Sequence, residues 1–170
     1  MLRLLIITTT LLLFFTSANA KGVYQTPEDF ISQSFDNKPP ESKVLWLNKE
    51  LKNKIQEILQ HKYRGLRVRY WQKGTRNVWI LDEIGKEKPI TCGIIINNNK
   101  IEQIKVLEFR ESRGWEVRQP FFTKQFVGAY LIDNNNLNQH IDGITGATLS
   151  VRALSKLART ALLLNKEITL

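Results

Sequence analysis

Cysteine is nearly absent from this chain: Cys92 is the only one among 170 residues. A single thiol excludes an intramolecular disulfide and any thiolate cluster that would hold zinc or an iron–sulfur centre. Cys92 sits in an apolar, strand-like run, where a buried and inert thiol is the expected state. Histidine is scarce too. His61 and His140 stand far apart, with no acidic cluster at ligand spacing, so neither points to a metal site. His61, next to Lys62 at a helix end, reads as a charge partner for that end. A dense basic run is also missing, although the formal charge is +9 and the pI near 9.8. The Lys and Arg residues are scattered, which argues against nucleic acid and for attraction to anionic membrane surfaces, acidic partners or a phosphorylated cofactor.

Long hydrophobic runs are limited to the beginning. Residues 1–20 carry one positive charge at Arg3, an apolar run from Leu4 to Phe15 and the small-residue ending Ala18-Asn19-Ala20. This is the layout of a secretory signal peptide cleaved after Ala20. The run falls short of the roughly 20 apolar residues that span a bilayer. No cysteine follows it to suggest a lipid anchor, and the later stretch 157–164 is interrupted by Arg159 and Thr160. The expectation is an exported protein, in the periplasm or at the extracytoplasmic face of the inner membrane. The remaining chain is long enough for one domain with a real core.

Segment 21–65 reads as an N-terminal helical segment. Thr26-Pro27-Glu28-Asp29 offers an N-cap, a proline at the first helical position and acid in the first turn, predicting a helix over 27–35. A break at residues 36–40 precedes a short apolar stretch at 44–47. Asn48 then caps a second helix reaching about His61, with Leu51, Ile55, Ile58 and Leu59 at helical spacing. From residue 66 the period changes to two. Leu66, Val68 and Tyr70 alternate with arginines, Gly74-Thr75 turns the chain into 78–81, and the nearly all-apolar run 90–96 reads as a central strand. Asn97-Asn98-Asn99-Lys100 supplies a turn into an alternating strand over 101–109. Four strands in sequence predict an antiparallel sheet of at least that number, covered on one face by helices, an α+β arrangement over 66–170. The closing segment from Val151 to Leu164 is amphipathic and is expected to pack on the sheet rather than lie on a membrane.

The stretch that precedes this helix is Asp142-Gly143-Ile144-Thr145-Gly146-Ala147-Thr148-Leu149-Ser150. Two glycines free the backbone, and Asp142, Thr145, Thr148 and Ser150 can all cap helical N–H groups. On physical grounds this is either a phosphate-sized anion site at a helix N-terminus or a well-capped helix without a ligand. Asp-x-x-Thr-Gly-Ala-Thr resembles the flavinylation motif of the FMN-binding domain family, which includes covalent-flavin subunits of the sodium-translocating NADH:quinone reductase and of related ferredoxin-dependent complexes. A second stretch carries the same resemblance: Ile101-Glu102-Gln103-Ile104-Lys105-Val106-Leu107-Glu108, followed by Glu111-Ser112-Arg113-Gly114. Arg113 stands where the respiratory members usually have proline, and Trp115 follows the glycine.

The resemblance implies FMN joined through its phosphate to the Thr148 hydroxyl. It implies that Asp142, Gly146 and Ala147 serve recognition, with Thr145 and Ser150 close to the phosphate. Leu149, Glu111, Gly114 and Trp115 are the further cofactor-binding candidates, although Trp115 reads equally as a core plug. No general base stands beside Thr148 in sequence to activate it. The resemblance implies that a separate flavin transferase, dependent on FAD and magnesium, modifies it. A membrane-bound redox protein would be the second partner. The expectation is an electron-transfer flavoprotein rather than a stand-alone enzyme. The competing reading is a noncatalytic periplasmic binding or structural module that holds flavin loosely or not at all.

Overall fold

The computed structural model describes residues 22–169. The expected signal peptide over residues 1–20 lies outside the described residues. Five strands form one antiparallel sheet in sequence order: β1 (Ser42–Trp46), β2 (Arg67–Lys73), β3 (Arg76–Ile84), β4 (Pro89–Asn97) and β5 (Lys100–Phe109). The helices are α1 (Pro27–Ser34), α2 (Lys49–Leu59), the single turn α3 (Pro120–Thr123) and α4 (Thr148–Thr169). The fold is α+β, as the change of period at residue 66 predicts.

Local chemistry sets the connections. Gly74 takes φ +60° at the first position of the β2–β3 hairpin, and Asn98 and Asn99 both adopt positive φ between β4 and β5, the requirement of a two-residue hairpin turn. Thr26 and Asn48 cap α1 and α2 through their side chains, each accepting the N–H three residues on. Gln60 ends α2 in the left-handed conformation, a residue short of the expected boundary.

The sheet is covered on both faces, not one. α4 lies across β3 and β4 and also packs against α2. Leu154, Leu157, Ala158 and Ala161 meet Trp79, Ile94 and Ile96 in the main core. On the opposite face α1 places Phe30, Ile31 and Phe35 against Val78, Ile95 and Leu107. Gly93 makes that contact possible, because a Cβ there would sit 2.4 Å from the Phe30 ring. Burial on both faces is the physical reason β4 reads as a continuous apolar run. Each fully buried Leu or Ile on these faces contributes about 1.5–3 kcal/mol. Cys92 is among them, and burial, reinforced by the Asp82 charge, pushes its thiol pKa well up.

Two short stretches differ from their sequence reading. The stretch expected at 44–47 is β1, which pairs with β2 and makes the N-terminal segment part of the sheet. Tyr130-Leu131-Ile132, whose apolar run reads as a brief strand in the sequence, forms none, only a single bridge between Leu131 and Leu137. The carboxyl of Glu83, 3% exposed, is satisfied by Lys156 Nζ at 3.3 Å and His61 Nε2 at 2.9 Å, so the side-chain partner of His61 is this strand carboxylate and not the end of its own helix.

Candidate functional site

The site is built where three loops converge. The first is the motif loop. Ile144 to Ala147 makes a turn closed by Ala147 N–H donating to the Ile144 carbonyl at 2.9 Å, with Gly146 at φ +83°. That φ restricts the position to glycine in practice. The Ala147 carbonyl then accepts from Val151 N–H at 3.0 Å, so Ala147 stands at the cap position and Thr148 is the first residue of α4. None of the four hydroxyl or carboxyl candidates occupies the cap. Ala147 has a buried methyl and no side-chain acceptor, which leaves the first helical N–H groups for something other than a cap. Among the described residues no side chain accepts from the N–H of Thr148, Leu149 or Ser150.

The second loop follows β5. Gly114 takes φ +85°, and a Cβ on it would lie 2.7 Å from Ser150 Oγ and 3.3 Å from the Ala147 methyl. The loop backbone therefore sits directly on the first turn of α4. The third is the turn between β3 and β4. Glu111 joins it to the second: its Oε1 accepts from the N–H groups of Lys86, Glu87 and Lys88 at 2.5, 2.7 and 3.0 Å. Burial alone raises the pKa of that carboxyl, but the three N–H donors and the Lys86 charge outweigh it and hold the pKa below the ordinary carboxylate range.

Between these loops lies a cleft of about 500 Å³, lined by Lys86, Glu111, Ser112, Arg113 and residues 146–150. Its volume is in the small-molecule range. Two cations, an exposed threonine hydroxyl and unpaired helical N–H groups face one space, which is the chemistry of a phosphate site. Of the candidate residues, Glu111, Gly146, Ala147, Thr148, Leu149 and Ser150 line the cleft, and Gly114 abuts it. Thr145 is exposed in the turn. Asp142 is exposed outside the cleft, paired at 3.6 Å with an equally exposed His140. Its backbone is held by Gln125, whose Oε1 accepts the Asp142 N–H at 2.7 Å and whose carbonyl accepts from Gln139.

Trp115 is 46% exposed and does not plug the core. It lies 5.3 Å from the Arg118 guanidinium, which lies 4.2 Å from the Tyr24 ring on its other flank. Lys86 and Gln125 carried no signal in the sequence. Lys86 sits in an ordinary charged turn, and Gln125 acts through contacts with residues fourteen and seventeen positions away. Among the described residues no cluster of His, Cys, Asp or Glu is arranged to hold a metal, and no helix is long and apolar enough to cross a membrane. Residues 85–163, which include all three loops, match the FMN-binding domain family. No curated protein sequence matches the chain.

Proposed function

Because residues 85–163 belong to the FMN-binding domain family, we propose that this protein is an exported electron-transfer flavoprotein whose FMN is joined by a phosphoester to Thr148. The observation that carries the proposal is the position of Thr148. It is an exposed hydroxyl on the first turn of a helix without a side-chain cap, in a cleft that also holds Lys86 and Arg113.

The residues present fit the cofactor. Lys86 and Arg113 supply the positive charge that a phosphodiester needs, and the N–H groups at the start of α4 supply donors. Leu149, exposed at the cleft, and Trp115, exposed beyond Gly114, give apolar surface suited to a planar ring system. When bound, the flavin supplies reversible electron transfer, and the protein supplies position and electrostatics.

The chain does not attach the cofactor itself. Among the described residues no base is hydrogen-bonded to the Thr148 hydroxyl, and the one carboxylate of the cleft, Glu111, is a weak base, its pKa held below the ordinary range by three N–H donors on Oε1 and the Lys86 charge. An external transferase must take the Thr148 proton. The Oγ–phosphorus bond forms as the pyrophosphate bond of FAD breaks, and AMP leaves. The exposed Asp142 and Thr145, set on a loop pinned by Gln125, are accessible to such an enzyme. Outside the cytoplasm free FMN is scarce, and a phosphoester keeps the cofactor from being diluted away.

Co-expression with a flavin transferase tests this. The denatured protein should fluoresce on a gel, and a tryptic peptide containing Thr148 should gain one FMN with loss of water. Thr148→Ala should be dark while keeping the circular dichroism of the parent. Colour that washes out on denaturation would show noncovalent flavin. An adduct that persists in Thr148→Ala would move the assignment to Ser150 or Thr145.

A further inference from the structure

We propose that the outer edge of β1 is a docking site for an extended, acidic segment of a partner protein, which adds to the sheet as a sixth strand. The two edges of the sheet are treated differently. At β5 both ends of the edge are paired: Gly22 to Tyr24 cover its last residues, through the Val23–Glu108 bridge, Phe109 N–H to the Gly22 carbonyl at 2.8 Å and Tyr24 N–H to the Leu107 carbonyl at 2.8 Å, and at its start Ile101 exchanges hydrogen bonds with Gly128 and Ala129. Among the described residues nothing pairs with the outer side of β1.

The register shows which peptide groups are free. Leu47 N–H donates to the Leu66 carbonyl at 3.0 Å, in line with the pairing of Leu45 with Val68 and Val44 with Arg69. In an antiparallel ladder hydrogen-bonded and open pairs alternate, so Lys43, Leu45 and Leu47 bond inward to β2. Ser42, Val44 and Trp46 direct their N–H and C=O groups outward. Val44 and Trp46 are also exposed side chains, Trp46 at 65%. Sheet edges are ordinarily blunted by proline, lysine, bulges or a covering element. Here Pro39 and Pro40 precede the strand and Lys43 reaches inward to Gln72 on β2, so the outward-bonding positions present Val44 and Trp46.

The side chains specify the occupant. Val44 and Trp46 stand opposite Arg69 and Arg67 and share their face of the sheet. The Arg67 guanidinium lies 5.5 Å from the Trp46 ring, leaning across β1 toward the open edge. Beside it runs a groove of about 670 Å³ with Ile31, Trp71 and Ile80 among its walls, Arg67 and Arg69 its cations, and Glu28 its single carboxylate. Arg67 and Arg69 are two residues apart on one strand, about 6.5–7 Å, the repeat at which an added strand presents alternate side chains. A segment with acidic residues at every second position thus meets two guanidiniums with one face while its peptide groups pair with Val44 and Trp46. This is strand addition, in which main-chain bonds give affinity and alternate side chains give specificity. All of these residues lie outside 85–163, so the surface is independent of the flavin cleft.

The test uses the full chain and a fluorescein-labelled octapeptide of alternating glutamate and valine, with alternating lysine and valine as control. The acidic peptide should bind saturably by anisotropy, weaken as salt is raised, and lose at least tenfold in affinity in Arg67→Glu/Arg69→Glu. Val44→Pro is the sharper variant, because it removes an outward N–H while leaving the β1–β2 ladder intact, and Val44→Ala, which trims the same groove side chain but keeps the N–H, is its control. Val44→Pro should abolish binding without changing the circular dichroism. In the unsubstituted protein, exchange at the Val44 and Trp46 amides should slow at least tenfold on saturation, a readout that needs no variant to fold. Equal binding of the lysine peptide, binding indifferent to Val44→Pro, or unchanged amide exchange would overturn the proposal. So would a concentration-dependent dimer that Val44→Pro dissociates, since the edge would then belong to a second copy of this chain.

Discussion

Gly114→Ala is the substitution that most directly tests how the cleft is assembled. Two costs add at this position. The backbone sits at φ +85°, where an L-residue loses about 1–2 kcal/mol relative to glycine. Part of this is offset, because alanine restricts the unfolded chain and returns about 0.4–1 kcal/mol. The new methyl would also stand 2.7 Å from Ser150 Oγ and 3.3 Å from the Ala147 methyl. Ser150 is buried, so its hydroxyl has little room to turn away, and overpacking of this kind costs typically about 1–3 kcal/mol. The net expectation is a loss of about 2–4 kcal/mol. Against a typical domain stability of roughly 5–15 kcal/mol the protein stays folded. Urea unfolding of Gly114→Ala should show a lower midpoint at unchanged slope, and flavin loading at Thr148 should fall as the loop is lifted from α4. Adding Ser150→Ala removes the atom in the way and should restore roughly half of the lost stability, leaving the backbone cost. A loss below about 1 kcal/mol, or no recovery in the double variant, would refute the idea that close approach of this loop to the helix sets the geometry.

Three further outcomes follow from contacts already described. Glu111 has its pKa depressed in the folded state, so its contribution is present above the unfolded value of about 4.5 and is lost as pH falls through the lower folded value. Glu111→Gln should therefore flatten the acid limb of a stability–pH curve, and an unchanged limb would show that the N–H cluster does not favour the carboxylate. Cys92, fully buried with a raised pKa, should resist iodoacetamide at neutral pH until denaturant is added, as followed by mass spectrometry. Lys156→Ala leaves the buried Glu83 with only the half-exposed His61, and should cost about 3–5 kcal/mol near neutral pH by chemical unfolding, the scale for stripping a buried charge of its partner.

How much of this was legible in the sequence depends on the range of the forces involved. The strands β2 to β5 and helix α4 follow from alternation and from an apolar stripe, because each is long enough for its period to show. β1 has only five residues and one half-buried side chain, so its place in the sheet comes from its partner β2 and not from its own pattern. The motif loop announced a helix after it, but the helix expected from Val151 begins at Thr148 and runs to Thr169, and the loop misled on capping. Four residues with suitable side chains flank the cap position, and the residue that occupies it is Ala147, placed there by the turn at Gly146. Glu111 was visible as part of a resemblance, whereas its work as acceptor for residues 86–88 depends on a contact across more than twenty positions. Lys86 enters the cleft only because that carboxylate holds its turn in place. Trp115 was ambiguous from its neighbours, and its exposure is decided by the short 3₁₀ turn it opens.

The pairing of Gly22 to Tyr24 with the end of β5 also sets how the molecule presents its two ends. The described chain enters beside Phe109, two residues before Glu111, and Tyr24 stacks on the Arg118 that flanks Trp115. The other end leaves from the last turn of α4, 22 residues after its start at Thr148, a length of about 30 Å at 1.5 Å per residue. A label placed near Tyr24 therefore sits close to the Trp115 side of the cleft, and one placed in the last turn of α4 sits a helix length away from Thr148. Were the proposed flavin in the cleft, a surface attached at one point or the other would meet it at different distances, making the choice of attachment point a way to tune direct electron exchange in the same folded protein.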